Sequence, residues 1–250
     1  MRKKDAFGRI DYRRFVAWKS RIERELPFLK STFGRPGRLP LIDVGCGTGE
    51  HSEALSAEGF AVIGVDRSFA MLEKAAAAYE RPRFVAGDMA RVPLRGAGIA
   101  GGALCLGNTL VSLLADDEME ALLGTLRRLL GAGAPFLIQI LNYERILEKK
   151  IRHLPLNFRP GGENELVYLR ILDPIDAKRL RFEVITLERT PPDGESRIAQ
   201  IDSTVLRPWK PEELRRFLEK AGFGELGLFG SYAGEPFSPL ESNDLIVVAR

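Results

Sequence analysis

Residues 41–51 have the sequence LIDVGCGTGEH, which places three glycines within five positions directly after an apolar run. The run predicts a buried strand, and the glycines leave backbone N–H groups uncovered where a helix begins, so a polar ligand is expected there. The spacing is GxGxG, and Glu50 stands where the GxGxxG pattern of dinucleotide sites has its third glycine. A glutamate would repel a pyrophosphate, which argues against an NAD-dependent oxidoreductase. For the loop alone, a purely structural tight turn is the alternative.

Strands alternate with helices along the first part of the chain. Apolar runs predict strands at 40–45, 61–65, 83–86, 99–106 and 134–141, and helical spacing predicts helices at 12–33, 49–58, 69–80 and 117–130. Such alternation is typical of a parallel sheet with right-handed crossovers. With 250 residues, of which 45% are hydrophobic, the chain is long enough for one α/β domain with a sizeable core.

The pattern changes after Tyr143. A short helix is followed by predicted strands at 166–172, 180–190 and 197–206, the last two flanking a PPDGES turn. The α/β pattern then resumes with the helix KPEELRRFLEKAGF and strands at 224–230 and 244–250. We therefore expect a single domain over residues 1–250. It comprises an N-terminal helical arm (1–39), an α/β core (40–143 and 207–250) and an inserted β-rich cap (144–206).

Two further strand ends carry acids. Asp66 ends the second strand, where a carboxylate can accept hydrogen bonds from both hydroxyls of a ribose. Asp88 and Met89 follow the third strand and offer an acceptor for the adenine amine beside an apolar cover for the ring. Alternatively, Asp66 is a helix N-terminal acid and Asp88 a turn residue. Together, the three strand ends indicate an adenosine that needs no phosphate.

With these motifs, the sequence resembles the class I S-adenosylmethionine-dependent methyltransferases. DVGCGTG is similar to their first motif, Asp66 to the ribose-binding acid and GDM to the adenine-contacting turn. The resemblance implies a Rossmann-like seven-stranded sheet with an antiparallel last strand, and S-adenosylmethionine as the cofactor. The cofactor-binding residues that it implies are Asp43, Gly45, Gly47, Gly49, Asp66, Arg67, Met71, Asp88 and Met89.

A narrower resemblance extends beyond these loops. LCLGNTLVSL at 104–113 and FLIQILNYERIL at 136–147 are similar to glycine N-methyltransferase and related small-molecule N-methyltransferases. This resemblance implies that Leu106 and Asn108 flank the methionine part of the cofactor, and that Asn142 and Tyr143 face the acceptor with a catalytic role. It also implies that Arg21 pairs with the methionyl carboxylate, with Tyr12 as a neighbour, and that the inserted strands cover the site.

The chemistry that follows is an in-line displacement of the methyl group, for which the protein aligns the reactants, excludes water and requires no metal. A protonated amine acceptor must first lose its proton. Candidate groups that would accept the proton or orient the amine are His51, His153, Tyr143, Tyr168 and Tyr232. If the acceptor carries a carboxylate, Arg159 and Arg170 of the cap are the residues expected to bind it.

The sequence thus predicts an S-adenosylmethionine-dependent methyltransferase that acts on a small molecule at an amine nitrogen. A nucleic-acid methyltransferase is one alternative, although the net charge of +3 and the absence of a [DN]PP[FYW] run on the fourth strand argue against it. A non-catalytic protein that binds the cofactor is the other. The sequence shows no signal peptide or run of about 18 apolar residues, so we expect a cytoplasmic protein without a membrane partner. The sequence is compatible with a monomer or a homo-oligomer.

Overall fold

The computed structural model describes residues 12–190 and 194–250, apart from the side chain of Tyr12, and contains seven helices and eleven strands within those ranges. The helices are α1 (Tyr12–Phe15), α2 (Trp18–Phe33), α3 (Glu50–Ala57), α4 (Phe69–Ala78), α5 (Asp116–Leu129), α6 (Tyr143–Glu148) and α7 (Pro211–Lys220). The strands are β1 (Leu41–Val44), β2 (Val62–Asp66), β3 (Arg83–Ala86), β4 (Gly102–Cys105), β5 (Phe136–Leu141), β6 (His153–Gly161), β7 (Asn164–Asp176), β8 (Arg179–Arg189), β9 (Ser196–Leu206), β10 (Leu226–Phe229) and β11 (Asp244–Ala249).

A seven-stranded sheet forms the core, in the order β10-β11-β5-β4-β1-β2-β3. The pairs within β5-β4-β1-β2-β3 are parallel, whereas β11 runs antiparallel to both β5 and β10. The predicted seven-stranded Rossmann-like sheet with an antiparallel last strand is confirmed. Strands β1, β4 and β5 lie at its centre and are buried almost throughout, which explains their continuous apolar runs.

Hydrophobic residues on the two faces of this sheet form two separate cores. Helices α5 and α7 supply one of them with leucines and phenylalanines at helical spacing, and Trp209 is fully buried there. Leu29 of α2 and Leu55 of α3 belong to the other core, together with Leu104, Leu137 and Ile246 of the sheet. The sheet is thus covered by helices on both faces, as expected for a parallel α/β fold.

The prediction of a single N-terminal helix over 12–33 is wrong, because the helix is interrupted at Val16 and Ala17. Phe15 at the end of α1 is buried in the core that includes the cap, with its ring edge-on to Tyr168 at a centroid distance of 4.9 Å. Leu29 of α2 is buried in the core on the other face of the sheet. With the interruption between α1 and α2, the arm contributes to both cores.

The cap is a second, antiparallel sheet in the order β6-β7-β8-β9. The three predicted strands and the pairing of the last two are present, although residues 191–193 of their connecting turn lie outside the described residues. Strand β6 was not predicted, and His153 is its first residue. Pro155 and Pro160 interrupt its apolar pattern, and prolines are tolerated because β6 is an edge strand.

No helix in residues 12–190 or 194–250 combines the length and the apolar character that crossing a membrane would require.

Candidate active site

A cavity of about 520 Å³ lies at the edge of the seven-stranded sheet where β1, β2, β4 and β5 end, the usual ligand position in α/β sheets. The ends of these core strands form one side of it, and the helical arm and the cap form the rest. Cap residues that line it alternate along β6 to β9 and share the inner face of that sheet. They are Leu154, Asn157, Arg159, Arg170, Phe182, Val184, Thr204 and Leu206.

The three loop glycines all have positive φ angles, of 73° at Gly45, 56° at Gly47 and 85° at Gly49. A Cβ at Gly45 would overlap the side chain of Thr109, and one at Gly49 would lie 2.8 Å from Cζ of Phe84, so the packing of the protein itself requires these two glycines. Gly47 differs, since a Cβ there would make only an ordinary van der Waals contact, with the Met71 sulfur at 3.7 Å. Gly45 and Gly47 line the cavity, whereas Gly49 is the N-cap of α3 and is not a lining residue.

Asp66 joins the glycine loop to the start of α4. Its Oδ2 accepts a hydrogen bond from the backbone N–H of Gly47 at 2.9 Å, and its Oδ1 accepts one from the N–H of Ser68 at 2.8 Å. Ser68 is the N-cap of α4, and its hydroxyl accepts from the N–H of Met71. Because each carboxylate oxygen can accept more than one hydrogen bond, Asp66 can still bind a ribose while it holds the loop.

The remaining residues predicted for the nucleoside, Arg67, Met71, Asp88 and Met89, all line the cavity. Asp88 also stabilises its own turn, since its Oδ1 accepts from the N–H of Ala90 at 2.9 Å. Asp43 is not a lining residue. It is buried beneath the loop, where it accepts a hydrogen bond from the hydroxyl of Ser52 at 2.6 Å, and burial raises the pKa of its carboxyl. The hydrogen bond joins β1 to α3, the two elements that the glycine loop connects.

The arm places a buried ion cluster at the cavity. Nε of Arg21 donates to Oε1 of Glu25 at 2.8 Å, and Nε2 of His51 lies 2.7 Å from Oε2 of the same carboxylate. Burial raises the pKa of Glu25, but the hydrogen bond with His51 and the charge of Arg21 outweigh it, so the pKa lies below its ordinary value. Arg21 was predicted, whereas Glu25 was missed, and its pairing with His51 depends on the tertiary fold. The side chain of Tyr12 lies outside the described residues.

Glu50, the glutamate that replaces the third glycine of dinucleotide loops, is buried and paired. Its Oε2 accepts from the hydroxyl of Thr48 at 2.6 Å, and Nε of Arg13 lies 3.3 Å from its Oε1. Arg13 also donates to the carbonyl of Lys74 at 3.0 Å, so it links α1 to the loop and to α4. The charge of Glu50 is therefore balanced within the protein.

Asn108 lies in the loop after β4 with a φ of 63°, a left-handed conformation that is uncommon for a residue other than glycine. Its Nδ2 donates to the hydroxyl oxygen of Tyr143 at 2.8 Å, and its Oδ1 accepts from the N–H of Leu141 at 3.0 Å. Asn108 and Leu106 line the cavity. Tyr143 is buried, which raises the pKa of its hydroxyl, and it does not line the cavity. Tyr143 therefore lies outside the cavity and orients the side chain of Asn108 through this hydrogen bond.

Both cap arginines that were predicted to bind the acceptor line the cavity. Arg159 donates from Nε to the carbonyl of Phe15 at 3.3 Å, and Arg170 donates to the carbonyl of Pro155 at 2.8 Å. The guanidinium of Arg170 also lies 5.8 Å from the ring centroid of Phe15. Each arginine thus joins the cap to the arm or to β6 at the cavity.

A family model described as "Methyltransferase domain" matches residues 41–133, which include β1 to β4 and their connecting helices. A glycine/sarcosine N-methyltransferase from Parasynechococcus marenigrum (strain WH8102) is 30% identical over 225 residues, which cover 88% of this chain and 75% of the relative. The chain belongs to the class I S-adenosylmethionine-dependent methyltransferases. S-adenosylmethionine is therefore the cofactor of this methyltransferase, as predicted.

Further comparisons agree with this assignment. A glycine/sarcosine N-methyltransferase from Aphanothece halophytica is 25% identical over 223 residues, 87% of this methyltransferase and 78% of the relative. The structure of the CcbJ methyltransferase from Streptomyces caelestis matches with a TM-score of 0.72 and 25% identity over 92% of this chain and 89% of that chain. CalS10 from Micromonospora echinaspora, an amino pentose methyltransferase solved with bound S-adenosylmethionine, shares the fold with a TM-score of 0.73 and 22% identity, covering 96% and 94% of the two chains.

Asn142, which was predicted to be catalytic and to bind the acceptor, is not among the residues that line the cavity of the methyltransferase. It is the N-cap of α6, and its Oδ1 accepts from the N–H of Arg145 at 3.2 Å. Its Nδ2 donates to the carbonyls of Pro239 at 2.8 Å and Ser242 at 2.9 Å. The side chain is buried and its hydrogen-bonding capacity is used, so the geometry supports a structural role for Asn142 and gives no support for catalysis.

Sequence reasoning also missed a pair of polar residues in the cavity. Oε1 of Gln139 accepts from the backbone N–H of Gly107 at 2.8 Å, and its Nε2 donates to Oδ1 of Asp244 at 2.9 Å. Gln139 and Asp244 both line the cavity. A glutamine within the apolar strand FLIQIL was the available indication, because a buried polar side chain needs a partner. Of the other candidate proton acceptors, His51 lines the cavity, and His153, Tyr168 and Tyr232 are not lining residues.

Proposed function

We propose that this methyltransferase transfers the methyl group of S-adenosylmethionine to the amine nitrogen of a small molecule. The observation that supports it most is that Asp66 and Gly47 of the core and Arg159 and Arg170 of the cap line the same cavity. Its volume of about 520 Å³ lies in the range of small-molecule sites. The glycine/sarcosine N-methyltransferases among the relatives are named for small amines, which also favours this function.

In this proposal, the core holds the methyl donor. Asp66 accepts hydrogen bonds from the ribose hydroxyls, Asp88 accepts from the adenine amine, and Met89 covers the ring. Arg21 pairs with the methionyl carboxylate, and Glu25 keeps the guanidinium in place through the 2.8 Å hydrogen bond. The contacts of Gly47 and Asp66 with each other prepare this half of the cavity before the donor arrives.

The cap holds the acceptor over the transferring methyl group. The nitrogen lone pair forms a bond to the methyl carbon as the carbon–sulfur bond breaks, and the electron pair of that bond stays on sulfur, which becomes neutral. The protein contributes alignment and exclusion of water. Arg159 and Arg170 would bind an anionic group of the acceptor through their guanidinium forks, and the apolar residues Phe182 and Val184 would exclude water beside them.

An assay with matched pairs of acceptors tests the proposal. The protein is incubated with methyl-labelled S-adenosylmethionine and with glycine, alanine or glucosamine, each beside the compound in which a hydroxyl replaces the amine: glycolate, lactate or glucose. We expect label in one or more amines and background label in their hydroxyl partners. Equal labelling of the hydroxyl compounds, or labelling of RNA or DNA in place of the amines, would contradict the proposal. A protein that binds the donor and labels no member of a metabolite extract would be non-catalytic.

A further inference from the structure

We propose that Asp244 receives the amino group of the acceptor and takes up its proton before methyl transfer. This inference rests on the proposed function and adds a residue and a charge requirement to it. Asp244 is the first residue of β11, and it pairs with Leu141, the last residue of β5. Because β11 is antiparallel, its first residue lies at the edge where the parallel strands end, and Asp244 and Leu141 both line the cavity there.

Gln139 holds the Asp244 carboxylate in a defined orientation. The amide of Gln139 bridges two elements, since its Oε1 accepts from Gly107 at 2.8 Å and its Nε2 donates to Asp244 at 2.9 Å. Gly107 directly precedes Asn108, so the bridge connects Asp244 to the end of β4. A carboxylate that accepts one hydrogen bond on Oδ1 retains acceptor capacity on both oxygens. An ammonium group has three donors and matches this capacity.

The charged and titratable groups that face Asp244 come from α2 and from the segment after β10. Arg21, Arg24 and Glu25 lie on α2, and Tyr232 precedes β11. The guanidinium groups of Arg21 and Arg24 lie 2.8 Å and 3.7 Å from Oε1 of Glu25, so both cations share their charge with that carboxylate. Both guanidinium groups pair with Glu25, and a partly buried carboxylate such as Asp244 gains from a cation placed directly against it. The amino group of an acceptor supplies that cation.

The same environment suits proton uptake. Burial raises the pKa of Asp244, the hydrogen bond from Gln139 lowers it, and Glu25 raises it against the opposing charges of Arg21 and Arg24, so that the pKa lies above its ordinary value. An acceptor R–NH₃⁺ passes one proton to the carboxylate and becomes R–NH₂. The lone pair then attacks the methyl carbon as the carbon–sulfur bond breaks. The product R–NH₂⁺–CH₃ carries the charge that the sulfonium loses, and Asp244 releases its proton to water.

This placement also narrows the class of acceptor. Asp244 lines the cavity from the core, whereas Arg159 and Arg170 line it from the cap. An acceptor that satisfies both has an amino group and an anionic group in one small molecule, as an amino acid has. Leu141 and the cap residue Phe182 supply apolar surface in the same cavity.

Asp244→Asn tests the inference, because the asparagine Oδ1 can still accept from Gln139 and the fold should be retained. The first readout does not require a known acceptor. It compares calorimetric affinities for S-adenosylhomocysteine and for sinefungin, the analogue with an amino-bearing carbon in place of the methylsulfonium. We expect the variant to bind S-adenosylhomocysteine unchanged and sinefungin about fivefold more weakly, since a charge near the ammonium is lost. Unchanged sinefungin affinity, or loss of both ligands together, would overturn the inference.

The second readout is turnover of the amine that the wild-type protein methylates best in the matched-pair assay. We expect kcat/KM to fall by about 100-fold or more, and the decline of the wild-type rate at acid pH to disappear in the variant. Asp117→Asn, which alters an exposed carboxylate of α5, is the matched control and should behave as wild type. If the wild type methylates amines, and Asp244→Asn keeps the wild-type kcat/KM and the same decline of the rate at acid pH, the inference fails and the proposed function stands. If hydroxyl compounds are the acceptors, the proposed function itself fails.

Discussion

The backbone N–H of Gly47 donates a hydrogen bond to Oδ2 of Asp66 over 2.9 Å, which ties the loop after β1 to the end of β2. Both residues line the cavity, so the contact shapes the surface that the ribose and the methionine part of the donor would meet. The carboxylate also caps the start of α4 through Ser68. One side chain therefore holds the loop in place and also lines the cavity.

Asp66→Ala should weaken the binding of S-adenosylhomocysteine by about 2–4 kcal/mol, because two charge-assisted hydrogen bonds to the ribose are lost. Asp66→Asn is the matched control, since it keeps the shape and one acceptor oxygen and should lose less. Isothermal titration calorimetry measures both variants. If a folded Asp66→Ala protein binds with the wild-type dissociation constant, Asp66 does not contact the donor.

Gly47→Val should abolish donor binding while the protein remains folded, since a side chain would project into the cavity where the backbone approaches the ligand. The positive φ of Gly47 adds backbone strain, so a second variant must separate strain from obstruction. Gly133 has a φ of 70° and lies exposed before β5, with open space around a Cβ. Gly133→Val should lose stability and retain donor affinity. Tight binding by Gly47→Val would mean that the loop is merely a turn.

Glu25→Gln should lower the free energy of unfolding by about 1–3 kcal/mol near neutral pH, because the buried partners Arg21 and His51 lose their anion. The pKa of Glu25 lies below its ordinary value, so its stabilising contribution is present above the unfolded-state pKa and is lost as the pH falls through the folded-state pKa. Denaturant titrations of wild type and variant across acid pH should therefore converge. A difference that grows towards acid pH would contradict this assignment.

Asn142→Ala should reduce stability by about 1–3 kcal/mol, because the carbonyls of Pro239 and Ser242 lose their donor and α6 loses its cap. Its turnover under conditions where it is folded should stay within a few-fold of wild type. Asn108→Ala provides the comparison, since Asn108 lines the cavity and is expected to lower kcat. A variant of Asn142 with normal stability and strongly reduced kcat would restore the catalytic role that the sequence suggested.

Arg170→Ala should leave the affinity for S-adenosylhomocysteine nearly unchanged and weaken a carboxylate-bearing acceptor by about 1.5–3 kcal/mol, the worth of a hydrogen bond to a charged group. Arg181→Ala is the control, since Arg181 is exposed and lies on the outer face of β8. The KM of the acceptor and the dissociation constant of the donor are the two measurements. A parallel loss of donor binding would mean that the cap does not act on the acceptor alone.

The parallel half of the fold could be predicted because its strands are continuous apolar runs and its loops carry glycine and aspartate at fixed offsets. Asp66, Asp88 and the glycines are local motifs, and local motifs are readable from the chain. Strand β6 was missed because its prolines resemble a loop, and only its position at the sheet edge makes them tolerable. The break between α1 and α2 reflects two cores that become visible only in three dimensions.

The site residues that were missed pair over long sequence separations. Gln139 and Asp244 are 105 residues apart, and Glu25 and His51 are 26 apart, so no spacing rule connects them. Asn142 illustrates the opposite error, because an asparagine directly before a helix is a preferred N-cap, and that local reading competes with a catalytic one. The resemblance to the N-methyltransferases placed Asn142 in the site. In the structure, its amide donates to the carbonyls of Pro239 and Ser242, and it does not line the cavity.

The most direct test of amine methylation is to supply S-adenosylmethionine carrying a ¹³C-labelled methyl group, together with the protein and a deproteinised metabolite extract. Heteronuclear NMR and mass spectrometry of the product then identify the molecule and the atom that received the methyl group. We predict a new N–¹³CH₃ resonance on a small molecule that also carries an anionic group, formed by wild type and not by Asp66→Ala. Label on oxygen, sulfur or a nucleic-acid base, or formation of the product at an equal rate by Asp66→Ala, would contradict the proposed function.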